Sequence, residues 1–235
     1  MIEVIVVGEG QTEELFVRDV LAPVLATRDL ILEPRLIRTS PSARGGGLSG
    51  DRVVRYLRNT LRQRADTYVT TLFDLYGLAP GFPGVAEASG RRDPIARARS
   101  IEAHLGDVVV REAGCRADRF VPHVQPHEFE SLLFSDIGRL AELQPEWRVH
   151  LEGLHSARSS AASPEHVNDG DQTHPSARLK ALRPRYEKVL HGPATAARIG
   201  LDRICAECMH FAAWVKRLET LPPLRKEAPT SPPAP

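Results

Sequence analysis

Residues 2–10 read Ile2-Glu3-Val4-Ile5-Val6-Val7-Gly8-Glu9-Gly10. An almost unbroken run of β-formers that closes on a glycine-flanked acid describes a strand buried on both faces and leaving through a tight loop. That is the pattern of a central strand in a parallel sheet. Just beyond it, Phe16, Val17, Val20, Leu21 and Val24 recur at helical spacing. Glu13 and Glu14 fall in the first turn, where carboxylates suit the helix dipole, and Pro23 is expected to kink or end the helix. Strand, loop and helix in this order open an α/β fold.

The same alternation continues outward. A second strand is expected over residues 31–38, with Pro34 placing it near an edge. It runs into Thr39 to Gly50, which contains Gly45-Gly46-Gly47 and reads as a mobile loop. Asp51 is placed to cap a helix carrying Val54, Leu57 and Leu61, and Tyr68-Val69-Thr70-Thr71-Leu72-Phe73 reads as a strand ending at Asp74. Asp93-Pro94 is an N-cap followed by proline, opening a helix that reaches about Leu105. A fourth strand, Arg119 to Gln125, leads into His127-Glu128-Phe129-Glu130-Ser131-Leu132-Leu133-Phe134. With no hairpin signal between consecutive strands, residues 1–135 predict an α/β domain: a largely parallel four-stranded sheet flanked by helices. Residues 136–221 show no strand pattern. Helical composition over 136–143, 145–157, 175–190 and 193–221, broken by Ser159 to Thr173, predicts a C-terminal helical subdomain packed on the sheet. The proline-rich end, 222–235, is expected to be disordered.

Composition narrows the function classes. The 235 residues are 42% hydrophobic and 26% charged, enough for one sizeable core. Thirty-one basic residues against thirty acidic leave a net charge of +1, which excludes a polybasic chain and confines any nucleic-acid binding to a local patch. No stretch approaches the roughly 20 apolar residues of a membrane helix, and no basic n-region precedes an apolar run at Met1. A cytoplasmic location is the expectation. Three cysteines, Cys115, Cys205 and Cys208, are an odd number and fit free thiols in a reducing compartment.

Ligands of open parallel sheets gather outside the carboxyl ends of the strands. Glu9, Asp74, Glu128 and Glu130 are acids at or just after such ends. Two unit charges about 4 Å apart repel by roughly 4 kcal/mol at an effective dielectric near 20, so converging carboxylates call for a cation. Oxygen-only ligands favour Mg²⁺ or Mn²⁺, ions that serve phosphate chemistry. Each acid also has a plainer role: Glu13 and Glu14 in a helix first turn, Glu9 as a solvated loop acid, Asp74 as a turn cap. Glu128 and Glu130, two apart at an expected helix start, predict that only one of them faces a shared site. Arg91 with Arg92, and Arg178 with Lys180, are candidate phosphate clamps or simply solvated faces. Cys205-x-x-Cys208-x-His210 offers three soft ligands but no near fourth, and core packing explains it more simply. His123 and His127 flank the acidic segment as metal ligands, proton carriers or structural hydrogen-bonders. Gly8-Glu9-Gly10 lacks the spacing of a dinucleotide fingerprint, and Gly45-Gly46-Gly47 lacks the lysine and serine of a P-loop.

The segments VVGEGQTEELF, TLFDLYGL, HEFESLLF, PEHVNDG, THPSARL and GPATAARIGLDRI, in this order, resemble the family catalogued as domain of unknown function 4276. The resemblance spans nearly the whole chain except the proline tail. That family is regarded as Toprim-like, similar to the metal-dependent catalytic domain of topoisomerases, primases and overcoming-lysogenization-defect nucleases. The resemblance implies a Toprim/Rossmann-like sheet with a Mg²⁺ site. It puts the first-strand glutamate at Glu9, the second acid of the nuclease-type E-G-x-T-E element at Glu13, and the first aspartate of an Asp-x-Asp pair at Asp74. The second aspartate falls on Tyr76, a departure at a ligand position; Glu130, in the late F-E-x-x-L element, restores the charge, with Glu128 as runner-up. The implied function is a Mg²⁺- or Mn²⁺-dependent nuclease on DNA or RNA, with Glu9, Asp74 and Glu130 catalytic, partnered by an ATPase in prokaryotic defence or genome maintenance. Two alternatives stay open: a catalytically decayed binding subunit that docks an ATPase or nucleic acid, and a phosphatase or ligase acting on a small nucleotide.

Overall fold

The computed structural model describes residues 1–37, 47–167 and 173–224. Most of the expected glycine-rich loop, the Asn168-Asp169-Gly170 segment and the tail beyond residue 224 lie outside the described residues. Strand β1 (Ile2–Gly8) sits between β2 (Leu30–Leu36) and β3 (Tyr68–Asp74), parallel to both, and the sheet order is β2-β1-β3-β4. Pro34 is on the edge strand, where its missing N–H costs no ladder bond on the solvent side. Alternate residues of β1 serve opposite faces. Val4 and Val6 join a core with Phe16, Leu21 and Phe129, while Ile5 and Val7 join a second with Leu57, Leu61 and Leu105.

The expected fourth strand is two short pieces, β4 (Phe120–Val121) and β5 (Val124–Gln125), which pair successively with β3. Pro122 stands between them and has no N–H to donate, so the ladder is interrupted there. Thr71 bridges the gap: its hydroxyl donates to the His123 carbonyl at 2.8 Å and accepts from the His123 N–H at 2.8 Å.

Helix α1 (Gln11–Phe16) continues through a π-helical turn (Val17–Leu21) into α2 (Ala22–Ala26). Pro23 therefore does not end the helix. The π turn directly before it re-routes the backbone bonds, with Ala22 N–H donating to Val17 C=O, five residues back. Helix α3 (Gly50–Gln63) has Ser49 at its N-cap, so Asp51 lies in the first turn rather than capping it. After the single turn α4 (Val85–Ala88), α5 (Pro94–Ala113) starts at the expected cap, where Asp93 Oδ1 accepts from Ala96 N–H at 2.6 Å. It runs past Leu105 until Gly114 adopts φ +65°.

No strand follows Gln125 among the described residues. A 3₁₀ stretch (Phe129–Ser135) leads to α6 (Leu140–Leu143), α7 (Leu151–Ser159), α8 (Pro175–Lys180), α9 (Lys188–Ile199), α10 (Leu201–Glu207) and α11 (Met209–Glu219). Helix α8 stops at Lys180, ten residues short of the expected span, and α9 begins at Lys188, earlier than expected. Ile204, Phe211 and Leu218 of this half belong to the same core as Val4 and Val6. The C-terminal helices thus cover one sheet face, opposite α3 and α5.

Candidate acidic site at the carboxyl ends of β1 and β3

Because Gly8 pairs with Leu72, Glu9 emerges level with the end of β3. β2 lies on one side of β1 and β3 on the other, so this is the crevice where the strand order reverses. Glu9 Oε1 accepts the Asp74 N–H at 2.9 Å. Gly77 passes so close to Glu9 that a Cβ there would overlap Oε2 and sit 2.8 Å from Oε1, so any side chain at this position would push the Glu9 carboxylate aside. Asp74 Oδ1 accepts the Phe129 N–H at 2.8 Å, tying the end of β3 to the 3₁₀ stretch.

Glu13 fills two roles. Its Oε2 accepts the Gly10 N–H at 2.9 Å, capping α1, yet its carboxylate is buried among the other acids. His127, at φ +61°, turns the chain between β5 and the 3₁₀ stretch, a conformation that strains a non-glycine residue. The turn brings Glu128 and Glu130 to the same place, contrary to the expectation that only one would face it. Extended backbone at Glu128 (φ −155°, ψ 164°) is the reason, since helical spacing does not yet apply there.

Lysine 188 stands among these carboxylates. Its Nζ lies 3.0 Å from Glu130 Oε2, 3.3 Å from Asp74 Oδ2 and 4.0 Å from Glu128 Oε2. Lys188 and Gly192 are four apart on α9 and so share a face. The absent side chain at Gly192, where a Cβ would be 3.0 Å from the Phe129 ring, lets the helix approach closely enough to deliver Lys188. Burial alone would lower the Lys188 pKa, but Asp74, Glu130 and Glu13 hold it above the ordinary lysine range.

One ammonium does not balance five acids. Burial, then Asp74 and Glu13, push Glu9 well above the usual carboxylate range. Burial, reinforced by Asp74, raises Glu13 to about 8; burial, opposed by Lys188, raises Glu130 to about 7. Asp74 is raised by burial against the pull of Lys188. Glu130 is fully buried, and apart from the Lys188 contact its oxygens have no aligned hydrogen-bond donor among the described residues. Such a carboxylate is costly unless a cation meets it. The donor set, all oxygen, suits a hard divalent ion, and Glu9, Asp74 and Glu130 are the side chains that would hold it. With Lys188 between them, however, no three of these carboxylates bring oxygens within 4.8 Å of one another; among the described residues, only Glu102, His123 and His210 form such a trio.

The remaining candidates divide. Tyr76 turns toward His127, whose Nδ1 is 3.1 Å from the phenol oxygen, and meets His174 edge-on. Glu128 Oε1 contacts His174 Nδ1 at 2.5 Å at the N-cap of α8, the helix that carries Arg178 and Lys180. Arg178 Nε donates to the Thr173 carbonyl at 2.7 Å. Arg91 and Arg92 are exposed in the turn before α5 and touch none of the five acids. Cys208 is buried and hydrogen-bonds Ser135 through sulfur at 3.3 Å, so that pair of cysteines belongs to packing. Lys188, His174 and Gly77 were missed in the sequence. Only Lys188 leaves a signal there: the chain has four lysines among its 31 basic residues, so a lysine is the exception.

This geometry defines an α/β chain with an acidic crevice at the switch point of a parallel sheet. The family described as domain of unknown function DUF4276 matches residues 8–219, and the chain belongs to that family. No curated protein and no solved structure matches it.

Proposed function

We propose that the acidic crevice is a Mg²⁺- or Mn²⁺-dependent phosphodiesterase site of Toprim-like type, acting on DNA or RNA. The observation that carries this reading is the convergence of Glu9, Asp74 and Glu130 at the β1/β3 switch point, with Glu130 buried and short of donors. When bound, a divalent ion supplies charge neutralisation and polarisation of phosphoryl oxygens. Glu9, Asp74 and Glu130 would hold it. Glu9, less enclosed than Glu130, would also be the group that meets the attacking water as general base. Lys188 offsets part of the acids' charge through its contacts with Asp74 and Glu130. Arg178 and Lys180, on the helix whose N-cap meets Glu128, would orient a nucleic-acid backbone in this reading. Partnership with an ATPase in prokaryotic defence rests on the family resemblance alone.

A second reading has its own support. Lys188 already satisfies Asp74 and Glu130 in part, and on the family resemblance Tyr76 falls where a second aspartate would be. Both features suit a binding subunit whose site has lost its metal. Calorimetric titration of Mn²⁺ into the wild type, Glu9→Gln and Asp74→Asn separates the two. Saturable binding lost in both variants, together with Mn²⁺-dependent cleavage of single-stranded or duplex substrate, supports the enzyme. No binding by a folded wild type sinks it and leaves the binding subunit.

A further inference from the structure

A second cluster of ligating side chains lies on the other side of the β4/β5 break and shares no residue with the acidic crevice. Glu102 comes from the middle of α5, His123 from the gap between β4 and β5, and His210 from the first turn of α11. Glu102 Oε1 is 2.8 Å from His210 Nε2 and 3.4 Å from His123 Nδ1, and the three ligand atoms all lie within 4.8 Å of one another. Tetrahedral ligands about 2.0–2.1 Å from a zinc ion are separated from each other by roughly 3.3 Å, inside that range.

The hydrogen bonds around His123 decide its tautomer. Gln125 Nε2 donates to Ser131 Oγ at 3.0 Å, and that hydroxyl donates on to the Pro126 carbonyl at 3.4 Å. The amide oxygen of Gln125 therefore faces His123 Nε2, at 3.3 Å, and Nε2 must carry the proton. A neutral His123 then directs the bare lone pair of Nδ1 at the Glu102 carboxylate. Two acceptors facing each other repel. Charging the ring would remove the conflict, but His123 is 1% exposed and stacked between Trp214 (ring centroids 4.6 Å) and His210 (5.0 Å). A buried charge there is costly. Glu102 Oε1 already accepts the Val124 N–H at 2.8 Å, so the carboxylate is fixed in place.

We propose that Glu102, His123 and His210 form a zinc site. Two imidazoles and one carboxylate are the borderline-soft set that favours Zn²⁺ over Mg²⁺. Gln125 serves as the outer partner that orients the His123 ring and leaves Nδ1 free to ligate. Three protein ligands leave a fourth position for water, and a cleft of about 140 Å³ bordered by Glu102, His123, His210 and Trp214 gives it access. The ion would pin α5, the sheet edge and α11 together.

The test titrates Zn²⁺ into metal-stripped full-length protein against a chromophoric chelator, with excess Mg²⁺ present to keep the acidic crevice out of the measurement. The expected result is one equivalent bound, at least tenfold weaker in His210→Gln and in Glu102→Gln, and unchanged in Asp74→Asn. Wild type loaded with Co²⁺ should show the intense visible bands of a four-coordinate ion and quenched Trp214 emission, a readout that needs no variant. Absence of zinc binding by the wild type overturns the proposal. So does binding that survives both the His210 and Glu102 substitutions, binding that vanishes with Asp74→Asn, or Co²⁺ binding that leaves the tryptophan emission unchanged.

Discussion

At the scale of single residues, Lys188 decides the electrostatics of the crevice. Its side chain is 34% exposed, while Glu130 is fully enclosed. Removing one partner of a buried pair typically costs about 3–5 kcal/mol, and partial exposure of the lysine brings the expectation for Lys188→Met down to about 2–3 kcal/mol at neutral pH. Denaturant unfolding at pH 7 and pH 5 checks it. The loss should shrink at pH 5, where Glu13 and Glu130 are protonated, and should also shrink when Mn²⁺ replaces the missing charge. A loss independent of both pH and Mn²⁺ would mean that Lys188 acts through packing alone. The acids themselves were legible in the sequence because an acid following an apolar run is visible in one dimension. Lys188 was not: it lies 58 residues beyond Glu130, and only the approach of α9 at Gly192 brings it back.

At the scale of elements, the break between β4 and β5 joins the two sites. Thr71 closes it by pairing with both backbone groups of His123, and the same residue sets the height of the His123 ring. Thr71→Val preserves shape but strands the buried His123 N–H, while the His123 carbonyl keeps the Phe73 N–H, so it should destabilise the fold by about 1–3 kcal/mol. Chemical denaturation measures that directly, and an unchanged midpoint would show that the sheet edge closes without Thr71. The periodicity gave β1, β3 and α3 close to their true extents and the start of α5, but ended α5 about two turns early. It could not give the division of the fourth strand, because Phe120, Val121 and Val124 keep a strand-like pattern on both sides of Pro122, or the continuity through Pro23, because a π turn leaves no mark on hydrophobic spacing.

At the scale of the whole molecule, the buried carboxylates make stability depend on pH with a defined sign. Glu13 at about 8 and Glu130 at about 7 are raised above the usual 4.5. Their contribution is complete below about pH 4.5 and is lost as the pH rises through 7 and 8. Glu102 works the other way: although burial would raise it, the hydrogen bond from His210 pulls it below the usual carboxylate range, so its contribution is present above about 4.5 and fades in more acid solution. In chelator-treated protein the melting temperature should therefore be highest near pH 5 and fall toward pH 8.5. Added Mg²⁺ should stabilise more at pH 8.5 than at pH 5.5, because ionised carboxylates bind it better. Thermal unfolding followed by circular dichroism tests both; a melting temperature that rises from pH 5.5 to 8.5 without metal would contradict the assignment.

Local pattern alone determined the α/β class, the central strand β1, the parallel sheet and the acids at its carboxyl edge. These follow from burial on one or two faces, which imposes a period on the chain. The tertiary structure alone decided which charges meet. The counter-ion Lys188 and the trio of Glu102, His123 and His210 come from segments far apart in sequence, brought together by the packing of α5, α9 and α11 on the sheet. Side-chain periodicity reports which face of an element is buried, but carries no information about what that face is buried against.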